Sequence, residues 1–229
     1  MEKQRATLLV AGGAIGPVLF WLVVIVDGIT KSGYDARRDF ISELALGEHG
    51  WVQSANFVVV GLLMLGFAVG LRQLFSTGRA SVFGPLLVGT FGVGLVASGI
   101  FTGDPANYPA GADTTTVTTH GLVHSIAFLV IVVSVIAACF VFARRFREEP
   151  AWKGYAIYSV ITGGLVPALL VVNLGWFQPG HSFTGLMQRA LIAVFFAWFE
   201  VIALRALRLT TSGREISTIQ VAHEPKIGA

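Results

Sequence analysis

Residues 119–143 read THGLVHSIAFLVIVVSVIAACFVFA, a stretch that contains no Asp, Glu, Lys or Arg. A helix rises ~1.5 Å per residue, so about 20 apolar residues cross the ~30 Å hydrocarbon layer of a bilayer. A backbone in lipid must satisfy its own hydrogen bonds, and a barrel strand needs only ~9–11 alternating residues. The stretch therefore predicts a membrane-spanning α-helix.

Five further stretches have similar length and apolar character, and together the six predict an all-α transmembrane bundle. The 229-residue chain is 54% hydrophobic and 13% charged, whereas soluble domains carry about 25% charged residues, which argues against a soluble protein. We expect one six-span domain over residues 1–209 and a polar, disordered tail over residues 210–229. The predicted spans are residues 7–26, 53–74, 82–102, 119–143, 155–177 and 186–207.

The positive charges predict the orientation of the bundle. Twelve of the sixteen Lys and Arg residues fall on the side that the two termini share when the number of spans is even. Because cytoplasmic loops are enriched in Lys and Arg, this bias favours an N-in/C-in topology in the cell membrane, with the tail in the cytoplasm. The same loops explain the net charge of +3, so no nucleic-acid partner is expected. The four exceptions are Lys31, Arg37, Arg38 and Arg189.

Polar side chains recur at the extracytoplasmic ends of the predicted spans. A polar group that faces lipid at this depth is costly, so these side chains are expected to face the bundle interior. With the His, Asp and Glu residues of the adjoining loops they would form a polar cup open to the extracytoplasmic face. The pocket-lining candidates are Gln53, Asn56, Ser98, Asn173, Gln188 and Arg189.

Two histidines, His120 and His124, stand four residues apart at the start of the fourth span. This spacing places both imidazoles on one helix face, where they could share a metal ion, handle a proton, or make hydrogen bonds between helices. The HExxH pattern of zinc proteases is absent, because no Glu follows the first histidine. Zinc is the candidate cofactor, and His181 in the last extracytoplasmic loop is a candidate third ligand.

Asp104 is a candidate catalytic residue next to these histidines. It lies in FTGDPANYP, residues 101–109, directly after the third span, and the loop then returns the chain to His120. Its carboxylate could act as a general base, as a third metal ligand, or as a group that orients a ligand. The alternative is an Asp-Pro turn that ends the helix.

Glu43 is the second candidate catalytic residue and lies in the first extracytoplasmic loop, DARRDFISELALGEHGW, residues 35–51. The ISELALG segment predicts a short interfacial helix, with Ile41 and Leu44 on its apolar side and Ser42 and Glu43 opposite. Ser42 could be a nucleophile or a helix cap, although no GxSxG motif surrounds it.

The third span, GPLLVGTFGVGLVASG at residues 84–99, is rich in glycine. Small residues let membrane helices approach closely, because lipid provides no hydrophobic drive between helices. We therefore expect this span to be tightly packed and to lie at the centre of the bundle.

Several segments taken together carry a resemblance that covers nearly the whole chain. They are SELALGEHGWVQSANFVVVGLLMLGFAVGLRQ (42–73), FTGDP (101–105), HGLVH (120–124), RRFREEPAWKGYAIYSVITG (144–163) and GLMQRALIAVFFAWFEVIALRAL (185–207). The set resembles the six-span bacterial and archaeal membrane family described as domain of unknown function 998. The resemblance implies a single six-helix domain and no particular activity.

A more distant similarity is to the superfamily of alkaline ceramidases and adiponectin receptors. These membrane hydrolases hold zinc with three histidines, an aspartate and a serine, including an HxxxH pair on one helix. The similarity implies such roles for the HGLVH pair, Asp104, His181 and Ser42. The chain departs from that pattern in having six spans rather than seven and a different order of ligands.

Three functions remain open from the sequence. The first is a membrane binding or assembly role, with the lipid bilayer as partner and a lipid or amphiphile as ligand. The second is a metal-assisted intramembrane hydrolase, in which zinc-bound water attacks a lipid and Asp104 or Glu43 is the general base. The third is a small-molecule transporter, although the spans show no inverted repeat. Oligomerisation is open in each case.

Overall fold

The computed structural model describes residues 2–78, 80–176 and 183–222, and their side chains except at residues 2–3, 173–176 and 211–222. Within these residues the structure is helical and contains no strand. Six helices are long and apolar enough to cross a membrane, which confirms the predicted transmembrane bundle. They are α1 (Glu2–Thr30), α2 (Trp51–Leu74), α3 (Phe83–Ile100), α4 (Thr119–Phe146), α5 (Lys153–Trp176) and α6 (Thr184–Ala222).

Large apolar side chains cover the outside of the bundle as well as its core. Leu22 of α1 is 59% exposed and Leu129 of α4 is 58% exposed, while Phe67 and Phe142 are fully buried. A soluble monomer rarely exposes apolar patches of this extent, so the outer surface is suited to lipid. The chain is thus an integral, multi-pass membrane protein.

The six helices form a closed ring in which each packs against its neighbours in chain order and α6 returns to α1. Phe91 of α3 reaches across the ring to α6, with ring centroids 5.6, 5.8 and 4.6 Å from those of Phe195, Phe196 and Phe199. The predicted central position of the third span is therefore wrong. Aromatic side chains, rather than a helix, fill the centre.

The close packing predicted for the third span is confirmed where α2 crosses α3. A Cβ atom added to Gly61 would lie 2.7 Å from the Gly92 carbonyl oxygen, and one added to Gly92 would lie 2.8 Å from the Gly61 carbonyl oxygen. The two backbones thus touch directly, and only glycine fits at either position. The close approach continues at the cap end, where a Cβ added to Gly99 would lie 2.5 Å from the Ser54 carbonyl oxygen.

Two loops close the end of the bundle opposite the termini, and we call residues 31–50 and 101–118 the cap. The predicted short helix is present as a 3₁₀ helix, Ile41–Ala45, with Ile41 and Leu44 buried in the bundle. The prediction that Glu43 lies on an exposed, polar side of this helix is wrong, because Glu43 is only 2% exposed. The helix cap is Phe40 rather than Ser42.

At the other end, α6 continues to Ala222, beyond the predicted domain boundary at residue 209. The side chains after Thr210 and residues 223–229 lie outside the described part of the chain. The division into a membrane domain and a polar tail therefore stays a prediction.

The α2/α3 crossing predicts that Gly61→Ala destabilises the bundle by about 1–3 kcal/mol, because the added methyl group must push two backbones apart. The matched control is Gly66→Ala on the same helix, where a Cβ would meet Leu9 at an ordinary 3.6 Å. The readout is the thermal unfolding midpoint of the purified protein in detergent. Equal midpoints for the two variants would contradict the close crossing.

Candidate functional site

The Glu43 carboxylate is buried at the centre of the cap and accepts four backbone hydrogen bonds. Its Oε2 accepts from the Phe40 N–H at 2.8 Å. Its Oε1 accepts from three successive N–H groups of the second cap loop, those of Ala106, Asn107 and Tyr108, at 2.8, 2.6 and 2.8 Å. A run of backbone N–H groups that converge in this way forms an anion-binding nest.

These contacts favour a structural role for Glu43 over the predicted general base. A general base needs a lone pair directed at its substrate, whereas this carboxylate is already committed to four donors. Hydrogen bonds to an ionised group are stronger than neutral ones. The single side chain thereby ties the first cap loop to the second.

The start of α6 holds the first cap loop from below. Gln188 Oε1 accepts a hydrogen bond from the Ile41 N–H at 2.8 Å. The Arg189 guanidinium donates to the Asp39 carbonyl oxygen at 2.9 Å and to the Tyr34 hydroxyl. Burial raises the pKa of Tyr34 to about 12, although Arg189 opposes that shift, so the phenol remains neutral.

Asp104 braces the start of α4. Its two oxygens accept hydrogen bonds from the Thr118 N–H at 2.9 Å and the Thr118 hydroxyl at 2.6 Å, and Thr118 Oγ1 in turn accepts from the Gly121 N–H. The hydrogen bond from the Thr118 hydroxyl is the main reason why the pKa of Asp104 lies below its ordinary value. The Asp104 carboxylate thus fixes the N-cap residue of α4, which is a structural role that the sequence did not predict.

His120 and His124 both contact Phe101, the C-cap residue directly after α3. The exposed His120 ring packs edge-on against the Phe101 ring at 5.3 Å, and His124 Nδ1 lies 2.8 Å from the Phe101 carbonyl oxygen. Because a carbonyl can only accept, Nδ1 donates and a neutral ring keeps Nε2 as an acceptor. His124 therefore links α4 to the end of α3 by a hydrogen bond, and His120 adds a ring contact at the same place.

Within the described residues, no group of three or more His, Cys, Asp and Glu side chains is close enough to hold a metal ion. His181, the predicted third ligand, lies outside the described residues. The zinc site therefore stays a prediction.

The predicted pocket-lining residues divide into two groups. Ser98 and Gln188 line a cavity beneath the cap. Gln53 and Asn56 are buried between α1 and α2, where Asn56 Nδ2 donates to Gln53 Oε1 and to the Phe20 carbonyl oxygen, each at 3.2 Å. Arg189 is held by the cap contacts described above. The side chain of Asn173 lies outside the described part.

The cavity has a volume of about 300 Å³ and lies inside the ring, under the 3₁₀ helix of the cap. This volume is at the lower end of the ~300–1,000 Å³ range of small-molecule sites. Its apolar lining residues are Phe20, Phe40, Ile41, Phe57, Leu95, Phe128, Ile131, Ile192, Phe195 and Phe196. Its polar lining residues are Ser42, Ser98, His124, Ser125 and Gln188.

The cavity is amphipathic along the direction of the helices. Ser98 lies in the last turn of α3, while His124 and Gln188 lie in the second turns of α4 and α6, so these polar groups gather next to the cap. Ile131 and Phe195 lie about two turns further from the cap. The arrangement suits a molecule with a polar end under the cap and an apolar body directed toward the middle of the bundle.

Sequence reasoning identified the polar end of this cavity and missed its apolar body. Ser98, His124 and Gln188 stood out as polar residues at span ends, and Ser42 stood out as a candidate nucleophile or helix cap in the first loop. The aromatic walls did not, because the chain has 17 phenylalanines and most of them lie in predicted spans. Ser125, the fifth polar lining residue, could also have been found from the sequence, because it follows His124 directly.

The Glu43 network predicts that Glu43→Gln lowers the free energy of unfolding by about 2–3 kcal/mol. An amide has one acceptor oxygen, so it leaves at least one of the buried N–H groups unpaired. The control is Glu48→Gln in the same loop, whose side chain is exposed and whose change should stay within ~0.5 kcal/mol. Thermal unfolding in detergent measures both variants, and equal stability would contradict the central role of Glu43.

Comparison with known proteins places the chain in a family. No curated protein and no solved structure matches it. The family described as Protein of unknown function (DUF998) matches residues 14–205, a region that contains all six membrane-spanning helices in whole or in large part. The chain therefore belongs to the DUF998 family and is one of its six-span integral membrane proteins.

Proposed function

We propose that this protein binds a lipid or another single-chain amphiphile in the cavity beneath the cap. The observation that carries the proposal is the distribution of the lining, in which every polar group lies in or next to the cap and only apolar groups lie further down the helices. The polar end of the ligand would meet Ser42, Ser98, His124 and Gln188. Its chain would lie against residues such as Ile131 and Phe195.

A binding role fits the chemistry better than hydrolysis does. Glu43 accepts four backbone hydrogen bonds, and both oxygens of Asp104 accept from Thr118. Neither carboxylate is among the residues that line the cavity. Ser42 and His124 can therefore act as hydrogen-bonding groups that orient a bound headgroup, with no bond broken.

The orientation proposed with this function places the cap outside the cell and both termini in the cytoplasm. The excess of Lys and Arg on the terminal side supports it. A ligand would then come from the extracytoplasmic leaflet of the cell membrane.

Filling the cavity with a larger side chain should weaken binding of the amphiphile. In Ile131→Trp the larger side chain occupies the space that the chain of the ligand would need. The probe is palmitic acid that carries a photoreactive diazirine, added to the protein in lipid nanodiscs. We expect the yield of covalent adduct to fall about tenfold, which corresponds to ~1.4 kcal/mol of binding free energy. Mass spectrometry of the intact protein measures the yield, and peptide mapping should locate adducts of the parent protein in α2, α4 or α6.

The matched control is Ile126→Trp on the same helix, where the parent side chain is 52% exposed on the lipid-facing surface. It should be labelled like the parent protein. A variant with the opposite effect is Ile192→Ala, which enlarges the cavity and should increase labelling by a bulkier, branched photoreactive fatty acid. Undiminished labelling of a folded Ile131→Trp protein would refute the proposed site.

Cysteine labelling tests the orientation separately. Cys139 is the one cysteine of the chain and is buried, so Cys139→Ala provides a background without thiols. In that background, Asp113→Cys places a thiol in the exposed second cap loop, and Ser76→Cys places one in the exposed turn after α2. A membrane-impermeant maleimide added to intact cells should label the Asp113 variant and spare the Ser76 variant. The reverse labelling pattern would show that the cap faces the cytoplasm and would contradict the proposed orientation.

A further inference from the structure

A second concave surface lies on the outside of the bundle, where the cap ends of α1 and α2 meet. This groove has a volume of about 900 Å³ and is separate from the cavity beneath the cap. Its apolar wall includes Leu22 and Val26 of α1 and Val52 of α2. Its upper edge is polar and includes Asp27 and His49.

Asp27 is the unusual group in this groove. Its side chain is only 8% exposed, yet Oδ2 has no hydrogen-bond donor among the described residues. A buried polar atom without a partner costs roughly 1–3 kcal/mol, and more when it is charged. The other buried carboxylates of this end, Asp39 and Glu43, each accept several hydrogen bonds. Asp27 thus differs from them in lining a groove while one oxygen of its carboxylate has no protein donor.

Lys31 lies one turn after Asp27 and does not supply the missing donor. Its ammonium donates to the Leu44 carbonyl oxygen and lies 5.7 Å from the centre of the Tyr108 ring. The groove also contains the Glu48 carboxylate. The groove thus presents two carboxylates, those of Asp27 and Glu48, beside the one ammonium of Lys31, so it suits a cation that can donate hydrogen bonds.

The apolar wall indicates that this cation is attached to a lipid. Leu22 is 59% exposed and Val26 is 49% exposed, within a helix suited to span the membrane. The wall therefore continues into the lipid-facing surface of α1, where acyl chains pack. Asp27 lies in the last turn of α1, at the depth where hydrocarbon gives way to headgroups.

We propose that this groove binds the headgroup of a phospholipid that carries a primary ammonium, of the ethanolamine type. The ammonium would donate a hydrogen bond to the Asp27 carboxylate, the phosphate would lie toward Lys31, and the acyl chains would follow Leu22 and Val26. A choline headgroup has the same charge but no N–H donor, so it cannot supply that hydrogen bond. The site is independent of the ligand proposed for the cavity beneath the cap.

Native mass spectrometry of the delipidated full-length protein tests this proposal. The protein is titrated with dilauroyl phosphatidylethanolamine and, separately, with the phosphatidylcholine and phosphatidylglycerol of the same chain length. We expect the ethanolamine lipid to bind about tenfold more tightly than the choline lipid. The preference should disappear in Asp27→Leu, which removes the acceptor and should not impair folding because it also removes a buried unpaired charge.

Two control variants show whether the lipid preference belongs to Asp27 and to this groove. Asp35→Asn changes an exposed carboxylate of the first cap loop, which follows α1, and should keep the preference for the ethanolamine lipid. The cavity variant Ile131→Trp should keep it as well, so failure of the cavity proposal and failure of this one are distinguishable. Equal affinity for the ethanolamine and choline lipids would overturn the proposal, as would an unchanged preference in Asp27→Leu. Equally tight binding of free phosphoethanolamine would overturn the assignment to a lipid.

Discussion

The cap depends on one buried carboxylate. Glu43 accepts hydrogen bonds from Phe40 in its own loop and from three consecutive residues of the loop between α3 and α4. Without it, four backbone N–H groups at the edge of a hydrocarbon environment would lose their acceptor. The position of the 3₁₀ helix, and therefore the roof of the cavity beneath it, follows from this contact. The Gln188 and Arg189 contacts hold the same loop from α6.

The acidic residues at the cap end differ in whether protein donors hydrogen-bond to their carboxylates, and this difference separates structural carboxylates from the candidate ligand site. Glu43, Asp39 and Asp104 are acidic residues that sequence reasoning would treat alike, and each has protein donors for its carboxylate. Asp27 is the exception among the buried carboxylates of the described residues, because one of its oxygens has no donor. In a membrane protein, where water does not readily repair such a deficit, an unpaired acceptor on a groove points to a ligand.

Two proposed lipid sites of different character follow from these observations. Among the described residues, the cavity under the cap is lined by five of the six helices, all except α5, and in the proposed function it would take an amphiphile with its polar end under the 3₁₀ helix. The groove at Asp27 is lateral, and its apolar wall is continuous with the lipid-facing surface. Both lie at the same end of the bundle. A protein that binds one lipid inside and another at its edge is suited to sense or organise the composition of a single leaflet.

The sequence by itself determined the six helices and their lipid-facing character. Apolar runs of this length, such as residues 119–143, have one way to satisfy their backbone in a membrane, and the six spans were found where they were expected. The sequence also placed His124, Ser98 and Gln188 at one end of the bundle. Tertiary structure alone decided their roles, because hydrogen-bond partners lie far apart in the chain. The Ile41 N–H donates to Gln188 and the Tyr108 N–H donates to Glu43. No local sequence pattern predicts which distant donor a side-chain oxygen will bind.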